Sequence, residues 1–194
     1  MSGRRPHARG VYSLRDSDPP PEITLDTSFV VACLSQAEPC HIEALGFLNR
    51  IVTRQSLVVY NRLLEIELVE VSFKLAIKER FGKFNPAKRR DGRVRKRAAR
   101  LSEDLLGSWH DVLESIPSLR IELQEVADGV PAAMGKRGLA SYDAVHALTA
   151  IYSSEGCIAT TDSGFGSVPA SDLTVFIDQS RLGACRRHRG GRGT

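Results

Sequence analysis

The chain has 194 residues and a mass of 21.3 kDa, which suits one domain with its own core rather than two. Hydrophobic residues make up 42% and charged residues 26% of the sequence, a globular composition that excludes a fully disordered or fibrous chain. No apolar run approaches the ~20 residues of a membrane-spanning helix, and the basic start lacks the apolar core of a secretory signal. We therefore expect a soluble, cytoplasmic protein with no membrane partner.

The formal net charge of +4 conceals an uneven distribution. Residues 74–100, called the basic segment below, contain 12 Lys or Arg and two acidic residues, a local charge of +10. Both ends of the chain are also Arg-rich. Because the whole chain carries only +4, the part of residues 21–180 outside the basic segment must be strongly acidic. This distribution indicates a polyanionic partner for the basic parts, with docking of an acidic protein segment or a merely solvated helical surface as the alternatives.

Apolar patterning predicts alternating strands and helices between two polar ends. A leader, residues 1–21, ends in three prolines and is expected to be disordered, as is the Arg/Gly-rich tail, residues 181–194. The predicted strands cover residues 23–25, 57–60, 118–123, 157–160 and 173–177. The predicted helices cover residues 29–34, 41–52, 62–79, 94–113, 126–134 and 141–153. This order predicts an α/β fold in which a central parallel sheet of about four to five strands lies between two helical layers.

Three acidic residues occupy positions that favour chemistry at one crevice. Asp26 directly follows the first strand, and Asp162 comes two residues after the strand that ends at Thr160. In open parallel sheets, ligands bind outside the carboxyl ends of the strands, so both carboxylates are expected there. Asp143 lies in the first turn of an otherwise apolar helix, where a buried carboxylate is costly unless a cation accompanies it. Each of these acids taken alone also suits a turn, a helix cap or the helix dipole.

Helix 62–79 presents the same question, because it is apolar on most faces yet carries several acids. From the residues alone, Glu65, Glu67 and Glu70 are all candidates for a carboxylate that reaches the crevice. His146, three residues after Asp143, is either a core histidine or a residue that supports the acids. One acid from this helix, together with the other three, favours a site for a hard cation such as Mg²⁺ or Mn²⁺.

Four segments together resemble the motifs of PIN-domain nucleases, especially the VapC-type toxins. They are residues 25–28 (LDTS), 58–68 (VVYNRLLEIEL), 138–147 (GLASYDAVHA) and 158–165 (IATTDSGF). The third and fourth are the most specific. The resemblance implies catalytic and metal-binding roles for four acids, with Glu67 chosen over Glu65, and a supporting role for one threonine: Asp26, Glu67, Asp143, Asp162 and Thr160.

The resemblance implies a PIN-like nuclease domain over residues 22–180, with a basic helical insertion at about 83–118. It further implies a metal-dependent endoribonuclease that uses Mg²⁺ or Mn²⁺ and acts as the toxin of a type II toxin–antitoxin system. The partners that it implies are RNA as the substrate, a cognate antitoxin and a second copy of the chain. Asn61 departs from the Ser or Thr that is commoner there, and the leader is additional. A non-catalytic PIN-fold module for RNA or protein binding, or a structure-specific DNA nuclease, is the alternative function.

Overall fold

A six-stranded parallel sheet forms the centre of the computed structural model, which describes residues 9–190. The strands are β1 Val11–Ser13, β2 Glu22–Leu25, β3 Leu57–Asn61, β4 Ser118–Ile121, β5 Cys157–Thr160 and β6 Thr174–Ile177. Their order across the sheet is β1-β6-β5-β2-β3-β4, and every pairing is parallel. The predicted α/β class is confirmed, and the sheet has one strand more than the four to five expected.

Eight α-helices flank the sheet within the described part of the chain. They are α1 Thr27–Leu34, α2 His41–Arg54, α3 Leu63–Phe81, α4 Gly92–Glu114, α5 Gln124–Ala127, α6 Val130–Arg137, α7 Ser141–Ser153 and α8 Gln179–Gly190. Two 3₁₀ turns cover Pro86–Arg90 and Ser163–Ser167. The single helix predicted over residues 126–134 is instead α5 and α6, because Pro131 suits the first turn of a new helix. None of the helices in residues 9–190 has both the length and the apolar character of a transmembrane span.

Two apolar clusters cover the two faces of the sheet. Alternation along β3 shows this directly, because Val58 and Tyr60 belong to one cluster and Val59 to the other. The first cluster includes residues of α1, α2, α3 and α4, and its fully buried Trp109 packs edge-on against Tyr60 with ring centroids 5.3 Å apart. The second includes residues of α5, α6, α7 and α8. The result is the expected arrangement of a sheet between two helical layers.

The expectation of a disordered leader is wrong for residues 9–21. Strand β1 lies in that region and pairs with β6 at the edge of the sheet. Leu14 is fully buried, and the Tyr12 ring stacks on Phe176 with centroids 5.5 Å apart. A three-residue edge strand has little apolar patterning of its own and depends on β6 for its hydrogen bonds. Residues 1–8 of the predicted leader lie outside the described part of the chain.

The expectation of a disordered tail is wrong for residues 181–190, which belong to α8. Leu182 and Cys185, three residues apart, are buried against the second apolar cluster. Asp178, just before the helix, is buried and accepts hydrogen bonds from Ser180 and Arg181. Two buried side chains in an Arg-rich stretch give too weak a periodic signal for a helix to be predicted. Residues 191–194 of the predicted tail are outside the described residues.

Candidate active site

The candidate site lies at the carboxyl edge of the sheet, where β2, β3 and β5 end. Asp26 directly follows β2, and its backbone N–H donates to the carbonyl of Ala159 in β5 at 3.0 Å. This bond extends the pairing of β2 with β5 by one residue and fixes the backbone at Asp26. Asp162 follows the end of β5, Glu67 lies in the second turn of α3, and Asp143 lies in the first turn of α7.

Two hydroxyl groups hold the buried carboxylate of Asp26. Ser28 Oγ and Thr160 Oγ1 both donate to Asp26 Oδ2, at 2.5 and 2.8 Å, while Asp26 itself is only 5% exposed. Thr160 is fully buried, and its hydroxyl also accepts the backbone N–H of Asp162 at 2.9 Å. Thr160 therefore links the Asp26 carboxylate to the backbone that carries Asp162. Ser28 makes the same kind of contact, although it is not among the site residues predicted from the sequence.

The carboxylate of Glu67 is held in a second set of hydrogen bonds. Thr27 Oγ1 donates to Glu67 Oε2 at 2.5 Å, and His146 Nε2 lies 2.7 Å from the same oxygen. Burial opposes ionisation of Glu67, but the bonds from His146 and Thr27 and the charges of His146 and Lys74 outweigh it, so the pKa of Glu67 lies below its ordinary value. The Glu67 carboxylate is thus kept ionised inside the crevice.

The other two candidate acids of α3 have partners elsewhere. Glu65 lies 3.8 Å from His110 of α4, and Glu70 pairs with Arg89 at 2.6 Å. Of these three acids, only Glu67 contacts a side chain that also reaches Asp26, namely His146. Helical spacing explains the case of Glu65, which points to nearly the opposite side of α3 from Glu67. Glu70 lies on roughly the same face as Glu67 and is held by Arg89 instead.

His146 connects the two sets of hydrogen bonds. Its side chain is completely buried, and Nε2 lies 2.7 Å from Glu67 Oε2 and 3.7 Å from Asp26 Oδ1. An ionised Glu67 accepts only, so Nε2 must carry the hydrogen of this bond. Burial favours the neutral ring, but the bond to Glu67 and the charges of Asp26, Glu67 and Asp143 outweigh it and raise the pKa of His146. His146 therefore supports the acids and is more than a core residue.

The pKa of Asp143 is affected by all three of the other candidate acids. It is half-buried, and burial together with the negative charges of Asp26, Asp162 and Glu67 raises its pKa from 3.8 to about 6, against a smaller opposing effect of His146. Asp162 is exposed at the rim, where its Oδ1 accepts the backbone N–H of Gly164 at 2.7 Å. The structure thus places Asp143 within electrostatic range of the other three predicted acids.

The chemistry of these donors fits a hydrated hard cation. In residues 9–190, no three His, Cys, Asp or Glu side chains lie close enough together to hold one ion directly. Asp26, Glu67 and Asp162 each use one oxygen for the hydrogen bonds described above, which leaves a second oxygen on each. Mg²⁺ is usually held through one or two carboxylates and keeps several of its waters, so it does not require direct convergence. Burial and the charges of Asp26, Asp162 and Glu67 together raise the pKa of Asp143, and a bound cation would relieve the repulsion between these charges.

The protein is therefore an α/β protein whose parallel sheet carries an acidic crevice at the carboxyl ends of its strands, where such folds bind their ligands. The chain matches the PIN domain family over residues 23–170, which is most of its length, and it belongs to that family. PIN domains are usually nucleases and generally use a divalent metal ion. A search of curated proteins gave no match.

Proposed function

We propose that this PIN-domain protein is a cytoplasmic, metal-dependent endoribonuclease that hydrolyses phosphodiester bonds of RNA at the acidic crevice. The observation that supports this most strongly is the placement of Asp26, Glu67, Asp143 and Asp162 at the carboxyl end of the sheet, where burial and the charges of the other three acids raise the pKa of Asp143 to about 6. A divalent cation would offset the repulsion that Asp26, Asp162 and Glu67 exert on the carboxylate of Asp143.

The side chains of the crevice have distinct parts in the proposed reaction. Asp26, Asp143 and Asp162 would hold Mg²⁺ or Mn²⁺, which when bound activates water for attack on a phosphodiester and stabilises the leaving oxygen. Ser28 and Thr160 fix the orientation of the Asp26 carboxylate.

Glu67 would be a further ligand of the ion, either directly or through a water molecule. Thr27 and His146 keep it ionised and oriented. Without a bound cation, these carboxylates would repel the phosphates of an approaching RNA strand.

A toxin role within a type II toxin–antitoxin system is the finer part of the proposal. Its support is the resemblance of residues 25–28, 58–68, 138–147 and 158–165 to the VapC-type motifs. Controlled expression in a bacterial host tests it: we expect growth arrest with the native chain and normal growth with Asp26→Asn. Normal growth with both would contradict the toxin role and leave nuclease activity as a separate question. The same cells allow a search for a co-purifying antitoxin, and light scattering of the purified chain tests homodimer formation.

A substrate comparison tests the choice of RNA. Single-stranded RNA, single-stranded DNA and branched DNA of matched sequence are incubated with the purified protein and Mn²⁺, and products are separated on denaturing gels. We expect internal cleavage of RNA. Cleavage confined to branched DNA would instead support a structure-specific DNA nuclease. Salt-sensitive RNA binding without cleavage under any metal condition would support a non-catalytic module.

A further inference from the structure

The basic segment, residues 74–100, forms the outer half of a two-helix projection. It consists of the end of α3, the 3₁₀ turn at Pro86–Arg90 and the first part of α4. A small apolar cluster, separate from the two on the sheet, joins the helices here through Ala76 and Ile77 of α3 and Val94 and Ala98 of α4. The Asp91 carboxylate caps α4 by accepting from the backbone N–H groups of Arg93 and Val94. The segment is therefore a folded unit with its own packing.

The chain connections determine where this projection points. α3 starts two residues after β3 ends, at the carboxyl edge of the sheet, whereas α4 leads through residues 115–117 into β4, which is parallel to β3. The end of α4 must therefore lie at the opposite edge. The 23 residues of α4 span about 34 Å, whereas the five residues of β3 span about 16 Å. The first part of α4 thus lies beyond the edge that carries the acidic crevice.

The basic segment is continuous with the crevice along α3. Glu67, Lys74 and Lys78 are spaced by seven and then four residues and so share one face of the helix. The 3₁₀ turn folds back onto the same region, where Arg89 makes two hydrogen bonds to Glu70, at 2.6 and 2.7 Å, one helical turn beyond Glu67. The Arg89 guanidinium also lies 4.3 Å from the ring centroid of Phe73. Cationic side chains therefore begin about one turn from the candidate site.

Most of the positive charge in this segment is not neutralised by the protein. Arg89 pairs with Glu70, Arg97 with Glu79 at 2.8 Å, and Arg80 with Asp91 at 3.6 Å. These pairs use both acids of the segment. Its other nine cations are exposed and form no ion pair with the acids of residues 9–190: Lys74, Lys78, Lys83, Lys88, Arg90, Arg93, Arg95, Lys96 and Arg100.

So much like charge on one projection destabilises it unless a polyanion is bound. We infer that the basic segment binds the phosphate backbone of an RNA strand that continues outward from the acidic crevice. RNA as the ligand rests on the proposed function. The direction of the projection favours the substrate strand over a separate acidic protein, because Lys74 and Lys78 follow Glu67 on the same face of α3 and extend a cationic surface outward from the crevice.

Equilibrium binding of RNA without hydrolysis tests the inference. A labelled single-stranded RNA of about 20 nucleotides is titrated with protein in EDTA at several salt concentrations, with fluorescence anisotropy as the readout. The test variant carries Lys78→Gln, Arg93→Gln, Lys96→Gln and Arg100→Gln. The matched control carries Lys78→Arg, Arg93→Lys, Lys96→Arg and Arg100→Lys, which changes the same positions but keeps every charge. Circular dichroism spectra establish that both variants are folded.

We expect the Kd of the glutamine variant to rise at least about tenfold and the slope of log Kd against log salt to fall by about 2 to 3, since each phosphate contact on a single strand contributes about 0.7. The charge-retaining control should bind as the native chain does. Unchanged Kd and slope in the glutamine variant, or no RNA binding by the native chain, would overturn the inference. A parallel titration with polyglutamate tests the alternative of an acidic protein. If the glutamine variant lost binding to polyglutamate but kept its binding to RNA, the segment would be assigned to an acidic protein and the inference would be overturned.

The assay also separates this inference from the proposed function. Because it is done in EDTA, it measures binding whether or not the protein hydrolyses RNA. Addition of Mn²⁺ at the end of each titration then reports cleavage. Binding that depends on the basic segment, followed by no cleavage, would support the RNA surface and contradict the nuclease.

Discussion

Replacement of Asp143 by Asn should make the metal-free protein more stable while it removes nuclease activity. In the folded protein the pKa of Asp143 is about 6, against an ordinary value of 3.8, because burial and the charges of Asp26, Asp162 and Glu67 oppose its ionisation. The folded state therefore binds this proton more tightly than the unfolded chain does. Its contribution to the free energy of unfolding is favourable at low pH and is lost as the pH rises from about 4 to about 6.

The magnitude follows from the same two pKa values. Their difference corresponds to at most about 3 kcal/mol, at about 1.4 kcal/mol for each factor of ten in proton affinity. Solvent screening at a half-buried carboxyl reduces the expected effect to about 1 to 2 kcal/mol at pH 7.5. Asp143→Asn removes the charge that burial and the neighbouring acids disfavour, and it should raise the free energy of unfolding by that amount. The gain should shrink below about pH 4, where the native carboxyl is protonated in both states.

Urea unfolding in EDTA, followed by circular dichroism at several pH values, measures this effect. Asp111→Asn is the matched control, because Asp111 is exposed on α4 and the substitution makes the same change in net charge. We expect that control to stay within about 0.5 kcal/mol of the native chain. Addition of Mg²⁺ should then stabilise the native chain and the control more than Asp143→Asn. Loss of stability in Asp143→Asn at pH 7.5, or a gain that does not depend on pH, would refute the electrostatic reasoning.

Three further substitutions test other contacts. Thr160→Val removes a hydrogen-bond donor to Asp26. It should lower the free energy of unfolding by urea by about 1 to 2 kcal/mol and the initial rate of cleavage at least tenfold. A native rate of cleavage would show that this bond does not position Asp26. His146→Leu removes a hydrogen-bond donor to Glu67. The pKa of Glu67, measured by NMR, should rise, and the free energy of unfolding should fall by about 2 kcal/mol. An unchanged pKa of Glu67 would contradict this hydrogen bond. Leu182→Ala should cost about 2 to 3 kcal/mol if α8 packs as described, and no measurable loss would contradict that packing.

The positions of the acids could be predicted because strand ends are visible in the sequence. The apolar runs before Asp26 and Asp162 mark two strands, and the rule for parallel sheets places whatever follows them at one edge. The same rule says nothing about Glu67 against Glu65, since both lie within one turn of α3. The resemblance to a family motif selects Glu67. In the structure, Glu67 is the acid of α3 that contacts Thr27 and His146.

The hydrogen bonds that hold the acids could not be predicted, because they join residues far apart in sequence. Thr160 is 134 residues from Asp26, and His146 is 79 residues from Glu67. Periodicity describes neighbours on one element and carries no information about such pairs. The same limit explains β1, whose three residues form a strand only because β6 supplies the partner. The helix α8 is similar, since its two buried residues are anchored by elements before it in the chain.

Cleavage of RNA by the purified protein is the measurement that tests metal-dependent nuclease activity most directly. The native chain, Asp26→Asn and the control Asp111→Asn are each incubated with single-stranded RNA in Mn²⁺, in Mg²⁺ and in EDTA. We expect internal cleavage by the native chain and the control in at least one of the two metals, none in EDTA, and none by Asp26→Asn in any condition. Cleavage that persists in EDTA, or that Asp26→Asn retains at the native rate, would contradict a metal-dependent reaction at the acidic crevice.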